Sequence, residues 1–539
     1  MKIKLPFFIL IFIFSNSLFS QNTIGLLENT NEAYDGYTLF TPESSNSVYL
    51  VDNCGKSINT WTFSDTPKFT CYLLENGNLL RVGATGVEIR DWDDNLVWSY
   101  NLLISNGITQ HHDIEPLPNG NILYLVKETL TEAQQIALGK NPALLNGPLS
   151  SEKIIEIQPV GTNAINIVWE WRFADHLIQD FDSTKSNYGA VSNNPQLIDF
   201  NYTDASIDHS NWLHLNSIDY NAQLDQILFS SRTLSEIYII DHSTTTAEAA
   251  SHSGGNQNKG GDFLWRWGNP QVYRQGTAAQ QKLYAQHDAK WISQNYVNEN
   301  KITVFNNNSD GSNTFSSIHI ISPSLDLNND YMLESNSFLP ADYFWSWSGD
   351  ILGETVYENK KSGVHALENG NLLLCETKKG RLSEISQNGD IVWMYRNPVG
   401  ETIFNQFATN AEIFESNSIF RGEKYHKSYP AFSGKDLTPG EILENVNSLS
   451  ETCSTLSITD VQSIDTSITF NNPVIDQTVS FYKPLEATKI KVYNNLGQLI
   501  YTKSTFSGNE LKLPHLKQGL YFIEFIKQGT KQLEKMVIK

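Results

Sequence analysis

From Ser362 to Tyr395 the chain alternates short apolar runs with turn residues: SGVHAL, NLLLCE, RLSEIS and DIVWMY are separated by ENG, KKG and QNG. Apolar runs of this length read as strands, and the Gly of each separator supplies the positive φ that a tight antiparallel turn needs. The segment therefore predicts a four-stranded meander. A lone sheet of this size leaves a face uncovered, so copies packed around a common axis are the expected solution.

Copies are present. Trp followed two residues later by an aromatic marks six candidate outer strands: Trp61/Phe63, Trp98/Tyr100, Trp169/Trp171, Trp265/Trp267, Trp345/Trp347 and Trp393/Tyr395. Alternate residues of a strand share a face, so each pair puts two rings into one inter-sheet layer. The inner turn recurs as LENGNLL from Leu74, LPNGNIL from Leu117 and LENGNLLL from Leu367. Four-strand units are expected at 69–100, 110–172, 212–267, 286–347 and 363–395. A sixth is assembled from both ends, with two strands in 46–63 and two in 408–425. The prediction is an all-β, six-bladed β-propeller over 21–440, closed by strands from both ends so that no edge stays open. Long insertions at Glu128–Ser150, Arg172–Asn211 and His242–Gly261 are where sites on such a scaffold would be sought.

Composition narrows the setting. With 40% hydrophobic and 12% aromatic residues the 539-residue chain has ample core. A formal net charge of −21 argues against nucleic acid or an anionic membrane as partner. Residues 1–20, MKIKLPFFILIFIFSNSLFS, read as a signal peptide, since the apolar run is too short to span. Export would permit disulfides; Cys54 with Cys453 is the expected pair, and Cys71 and Cys375 are expected as buried thiols. No further membrane span is expected.

Beyond about Thr438 the repeat stops. Residues 441–466 read as a linker, and 467–539 as a small β-sandwich-like module with NNPVIDQTVSFY, KIKVYNNLGQLIY and LKQGLYFIEF. Asn472-Pro473, Asn494 to Tyr501, Gly519-Leu520-Tyr521 and the basic end KMVIK resemble the C-terminal sorting domain of the Bacteroidetes type IX secretion system. The resemblance implies the type IX machinery as partner and a secreted or cell-surface destination.

Histidine recurs where the inner strands begin: His111 and His112 in QHHDIEPL, His214 in NWLHLNSIDY, His287 in AQHDAKWI, His365 in SGVHAL. Four such placements among only 12 histidines point to one shared site at the channel mouth. Two chemistries suit it. Imidazoles can hold a transition metal with Asp113 or Asp288 beside them. Alternatively one imidazole acts as nucleophile while other imidazoles and arginines stabilise oxyanion charge.

WLHLNSI, QHDAKWI, ITVFNNN and SGVHALENGNLLLCETKKGRLSEISQNGDIVWMYRNP, with IFRGEKYHKSYPAFSGKDL near the end, are similar to the bacterial aryl-sulfate sulfotransferase family over about Asp35 to Leu437. The resemblance implies a six-bladed propeller that moves a sulfuryl group from an aryl sulfate donor to a phenolic acceptor. It needs no cofactor and no 3′-phosphoadenosine phosphosulfate, and works through a sulfated histidine. By motif, His365 would be the nucleophile, with His214 and His287 around the sulfuryl oxygens and His111 and His112 beside them. The family's arginine is replaced by Phe305-Asn306-Asn307-Asn308; Arg232 would stand in, with Arg381 and Arg421 as further candidates. The other functions left open are a metal-dependent hydrolase or lyase and a non-catalytic propeller that binds a glycan or another surface protein.

Overall fold

The computed structural model describes residues 22–64, 67–83, 86–102, 109–204, 207, 209–413, 415–445, 468–494, 499–527 and 530–539. The expected signal peptide and most of the expected linker lie outside them. The chain separates into two compact units, Met1–Cys453 and Ser454–Lys539.

The first unit is all-β, and among its described residues six antiparallel sheets have four or five strands. The first holds Pro67–Leu73, Leu79–Gly83, Val87–Arg90 and Leu96–Tyr100; the second Gln110–Pro116, Ile122–Leu130, Leu149–Val160 and Ala164–Arg172. The third holds Leu215–Asn221, Gln226–Ser231, Glu236–Asp241 and Trp265–Trp267; the fourth His287–Trp291, Ile302–Asn306, Ser317–Ile321 and Trp345–Trp347. The fifth holds Gly363–Ala366, Leu372–Glu376, Arg381–Ile385 and Ile391–Arg396, with Gly25–Asn29 paired outside the last.

The sixth sheet draws one strand, Ile419–His426, from the C-terminal side and three, Gly36–Pro42, Ser47–Val51 and Ser57–Thr62, from the N-terminal side. This corrects the expected two-and-two division. GYTLFTP is buried at every position and so lacks the in-out alternation that marks a strand in sequence. The expected strand near 410 is a short helix, Asn410–Ile413.

Leading strands of successive sheets touch: Pro67–Leu73 meets Gln110–Pro116, which meets Leu215–Asn221, then His287–Trp291, then Gly363–Ala366. Ile419–His426 touches both Leu372–Glu376 and Pro67–Leu73. The outer tryptophans repeat the same order. Trp61 donates its indole N–H to Asp91 O at 2.8 Å, Trp98 to Ala164 O at 3.1 Å and Trp169 to Thr244 Oγ1 at 3.2 Å. Trp265 donates to Leu339 O at 2.8 Å, Trp347 to Gly389 O at 3.1 Å and Trp393 to Asn53 O at 2.9 Å. Each indole thus fills an apolar layer and satisfies its one donor on the following sheet or its loop.

Cys54 is disulfide-bonded and Cys71 and Cys375 are buried free thiols; Cys453 lies outside the described residues. In the second unit Thr478–Asn494, Leu499–Lys512, Gly519–Lys527 and Thr530–Ile538 form one antiparallel sheet. Register breaks at Ser480/Leu485 and Leu485/Thr488 bend its longest strand, and Val479, Ile490, Ile523 and Met536 form its core. Among the described residues no helix is long and apolar enough to cross a membrane.

Candidate functional site

The inner strands begin irregularly, and that irregularity assembles the histidines. His111, His112 and Asp113 stand between partners Gln110 and Ile114, where the neighbouring strand offers a single residue, Leu125. The register also slips between Leu215 and Ser217 and between His287 and Lys290. His112, His214 and Asp288 take left-handed backbone, with φ of 59°, 51° and 59°. Such conformations cost about 1–3 kcal/mol each and survive where surrounding contacts dictate them. The bulges bring the rings of His111, His112 and His214 against one another instead of alternating them.

His112 Nε2 and His214 Nε2 are 3.0 Å apart, and their rings stack with centroids at 5.0 Å. The Asn211 amide nitrogen lies 2.6 Å from His214 Nδ1. His111 bonds Glu152 through Nδ1, and Glu152 Oε2 also accepts the Leu215 N–H at 2.8 Å. His112 Nδ1 is buried and has no hydrogen-bond partner among the described residues. His287 donates from Nδ1 to Asn307 Oδ1 at 2.7 Å, and its Nε2 accepts the Lys361 N–H at 3.2 Å, the neutral tautomer. Burial, reinforced by positive neighbours, holds His112 well below the usual imidazole range. Burial with His111, His287 and Arg232 pushes His214 down to about 2. Burial and Arg232 push His287 down to about 3, against the opposing bond to Asn307. These three imidazoles are therefore neutral at neutral pH.

Arg232 joins them. Its backbone N–H donates to His214 O at 3.1 Å. Its guanidinium is half-buried, burial lowers its pKa, and no carboxylate among the described residues pairs with it. Phe69 packs edge-on against His112 at 4.9 Å and Phe420 lies parallel to it at 6.3 Å. The site thus offers uncompensated positive charge, neutral nitrogen nucleophiles and aromatic walls, a set suited to an aryl anion.

The other predicted residues are placed differently. Arg421 is buried: its Nη1 donates to Asp113 at 2.7 Å, its Nη2 to Asn216 O at 2.7 Å, and its Nε is 3.0 Å from Asp288 Oδ1. Arg381 forks onto Glu376 at 2.5 and 2.8 Å. Both guanidinia, expected to bind substrate, pair with buried carboxylates. His365 sits between Asp288 Oδ2 at 2.9 Å and Glu423 Oε2 at 3.0 Å. Burial opposes its charge, but Asp288 and then Glu423 raise it to about 10. Instead of joining the neutral imidazoles, His365 helps line a cavity of about 920 Å³ with Tyr72, Glu115, Asp219, Lys290 and Glu423. Glu115, Asp219 and Lys290 come from the far ends of the strands whose beginnings carry the other histidines.

Sequence reasoning missed Asn211, Glu152 and Asn307, which orient the rings, and Phe69 and Phe420, which wall them. Asn307 stands in the NNN run where an arginine was expected. Nothing in its local pattern distinguishes an amide that orients a ring from one that closes a turn.

Residues 13–337 match the arylsulfotransferase (ASST) family. The chain belongs to the arylsulfotransferase family. It is accordingly an enzyme of sulfotransferase type. Residues 469–539 match the secretion system C-terminal sorting domain, which marks this arylsulfotransferase family member for export or the cell surface. No curated protein matches the chain significantly. Similar solved structures include a protein of unknown function from Bacteroides caccae: 12% identity, 67% of this chain and 93% of that chain covered, TM-score 0.36. The Cps50 (Swd1) β-propeller domain of Myceliophteria thermophila is 9% identical over 70% of this chain and 90% of its own, with TM-score 0.35. A Staphylococcus aureus virginiamycin B lyase is 10% identical over 70% and 89%, with TM-score 0.30. Likeness of this degree carries no functional argument.

Proposed function

We propose that the six sheets are the blades of one propeller and that its His112–His214–His287–Arg232 end transfers a sulfuryl group from an aryl sulfate to a phenol, without 3′-phosphoadenosine phosphosulfate. The observation that carries this reading is the half-buried Arg232 guanidinium, without a carboxylate partner among the described residues, beside imidazoles kept neutral. A sulfate ester supplies the missing negative charge.

In this reading a neutral imidazole nitrogen attacks sulfur. The N–S bond forms as the S–O bond to the aryl group breaks, and the departing phenolate takes the proton that the sulfated imidazole sheds from its other nitrogen. A second phenol then attacks the sulfohistidine sulfur, loses its proton, and frees the imidazole. Arg232 offsets the sulfuryl charge and the Phe69 and Phe420 faces receive the aryl ring. The nucleophile is drawn from His112, His214 and His287. His365, expected in that role from its motif, has no free lone pair when both nitrogens are protonated, and it acts here as a fixed cation between two carboxylates. Type IX machinery delivers the enzyme, and the tail is its address.

The test is incubation of purified protein with an aryl sulfate and a phenol acceptor, followed by peptide mapping after donor alone. The reading expects acceptor sulfation and one sulfuryl adduct on a histidine of the named group. Absence of both sinks it.

A second reading has one specific observation behind it. His111, His112 and His214 each offer a nitrogen within 4.8 Å of the others, a spacing that suits a transition metal and hence a hydrolase or lyase. Activity that is abolished by chelators and restored by metal would favour it over sulfuryl transfer.

A further inference from the structure

Far along the chain from the channel strands, two long insertions meet around a second group of histidines. His176 follows the 3-10 turn Phe173–Asp175 between the second and third sheets; His252 and Asp262 lie in the connection between Glu236–Asp241 and Trp265–Trp267. Asp262 Oδ1 is 2.9 Å from His176 Nδ1 and 2.7 Å from His252 Nδ1. One ligand atom from each residue lies within 4.8 Å of the other two.

The hydrogen bonds orient the donor atoms. His176 Nε2 is 2.8 Å from Ala249 O, and a carbonyl only accepts, so the ring proton is on Nε2. In the neutral ring Nδ1 then carries a lone pair, yet it faces a carboxylate oxygen that also carries one. Two lone pairs at 2.9 Å repel unless a positive charge is shared between them, either a proton, which makes the ring an imidazolium donating to Asp262, or a metal ion. An imidazole that donates one nitrogen to a backbone carbonyl and turns the other toward a carboxylate and a second imidazole has the orientation of a metal ligand.

The surroundings hold that orientation. His176 is fully buried, and Trp171 stacks parallel to it at 5.3 Å. Trp171 Nε1 donates to Gly261 O at 2.7 Å. A Cβ on Gly261 would stand 2.0 Å from Ala249 O and 2.6 Å from His176 Nε2, so only glycine lets the two insertions close this tightly. The His252 side chain is 61% exposed, which leaves a route from solvent and room for a water as fourth ligand.

We propose that His176 Nδ1, His252 Nδ1 and Asp262 bind one divalent transition-metal ion, with zinc the natural occupant of an N₂O set that keeps one open position. The ion would clip the 242–262 insertion onto the 173–178 segment, independently of the channel chemistry.

The experiment uses the full chain stripped with chelator and titrated with Co²⁺ and Zn²⁺, alongside His252→Ala, Asp262→Asn and His214→Ala. One equivalent of Co²⁺ is expected, with visible d–d absorption that Zn²⁺ displaces. Affinity should fall at least about tenfold in His252→Ala and Asp262→Asn and stay unchanged in His214→Ala. Zinc should also slow protease cleavage within 242–262 in the wild type and not in His252→Ala. Because His252 is exposed, that variant is expected to keep wild-type circular dichroism. Failure of the wild type to bind either ion overturns the proposal. So does binding that is lost in His214→Ala but retained in His252→Ala, which would assign the ion to the channel.

Discussion

His365 Nε2 lies 2.9 Å from Asp288 Oδ2, and Glu423 closes on its other nitrogen at 3.0 Å. A histidine on an inner strand is thereby fixed as a cation. Asp288 also faces Arg421, so His365 belongs to a network of buried paired charge. Because the histidine's folded pKa is raised, to about 10, its charge stabilises the fold below the unfolded value of about 6.5. That contribution is lost as pH rises through about 10. The stability difference between wild type and His365→Gln should shrink between pH 7 and pH 10.5 in urea titrations, and no sulfuryl adduct should map to His365. An adduct on His365 would return the nucleophile to that position.

Arg232 has the opposite character. Replacement by Gln should reduce kcat/KM for aryl sulfate by about 10²–10³, the scale of losing one charge-stabilising donor. The melting temperature should hold or rise, because a desolvated cation without a carboxylate partner is removed. A drop in stability with unchanged kinetics would make Arg232 a scaffold residue.

Arg421→Met keeps the length of the side chain but removes the guanidinium shared by the buried carboxylates of Asp113 and Asp288. Destabilisation of about 3–5 kcal/mol is expected from equilibrium unfolding. An unchanged denaturation midpoint would show that this network is not what holds the inner strands together.

The neutral imidazoles make a prediction about acid. His214 and His287 titrate at about 2 and 3 in the folded state, whereas an unfolded histidine binds its proton near 6.5. Between those values the unfolded chain holds more protons, so stability is full above about 6.5 and falls as pH drops toward 3. Urea midpoints should decline from pH 7 to pH 5, and His287→Gln should flatten the decline by up to about 1.4 kcal/mol per pH unit. In the wild type the acid limb of kcat/KM should lie well below 6.5. A limb centred at 6.5 would mean an ordinary, solvated imidazole does the chemistry.

The repeat was legible in the chain's local pattern. Indole-bearing strands, Asn-Gly turns and histidines at strand starts are local signals, because side-chain alternation and positive-φ turns are written in neighbouring residues. Gly36–Pro42 escaped because burial on both faces removes alternation. Which histidines lie side by side was settled only by the tertiary packing. His365 and His287 look alike in sequence, yet Asp288 and Glu423 flank one while Asn307 and the Lys361 N–H flank the other. Those partners come from other strands and loops, some of them distant in the chain. The charge of a buried imidazole depends on which groups face it, and only the packing of the sheets brings those groups within a few ångströms.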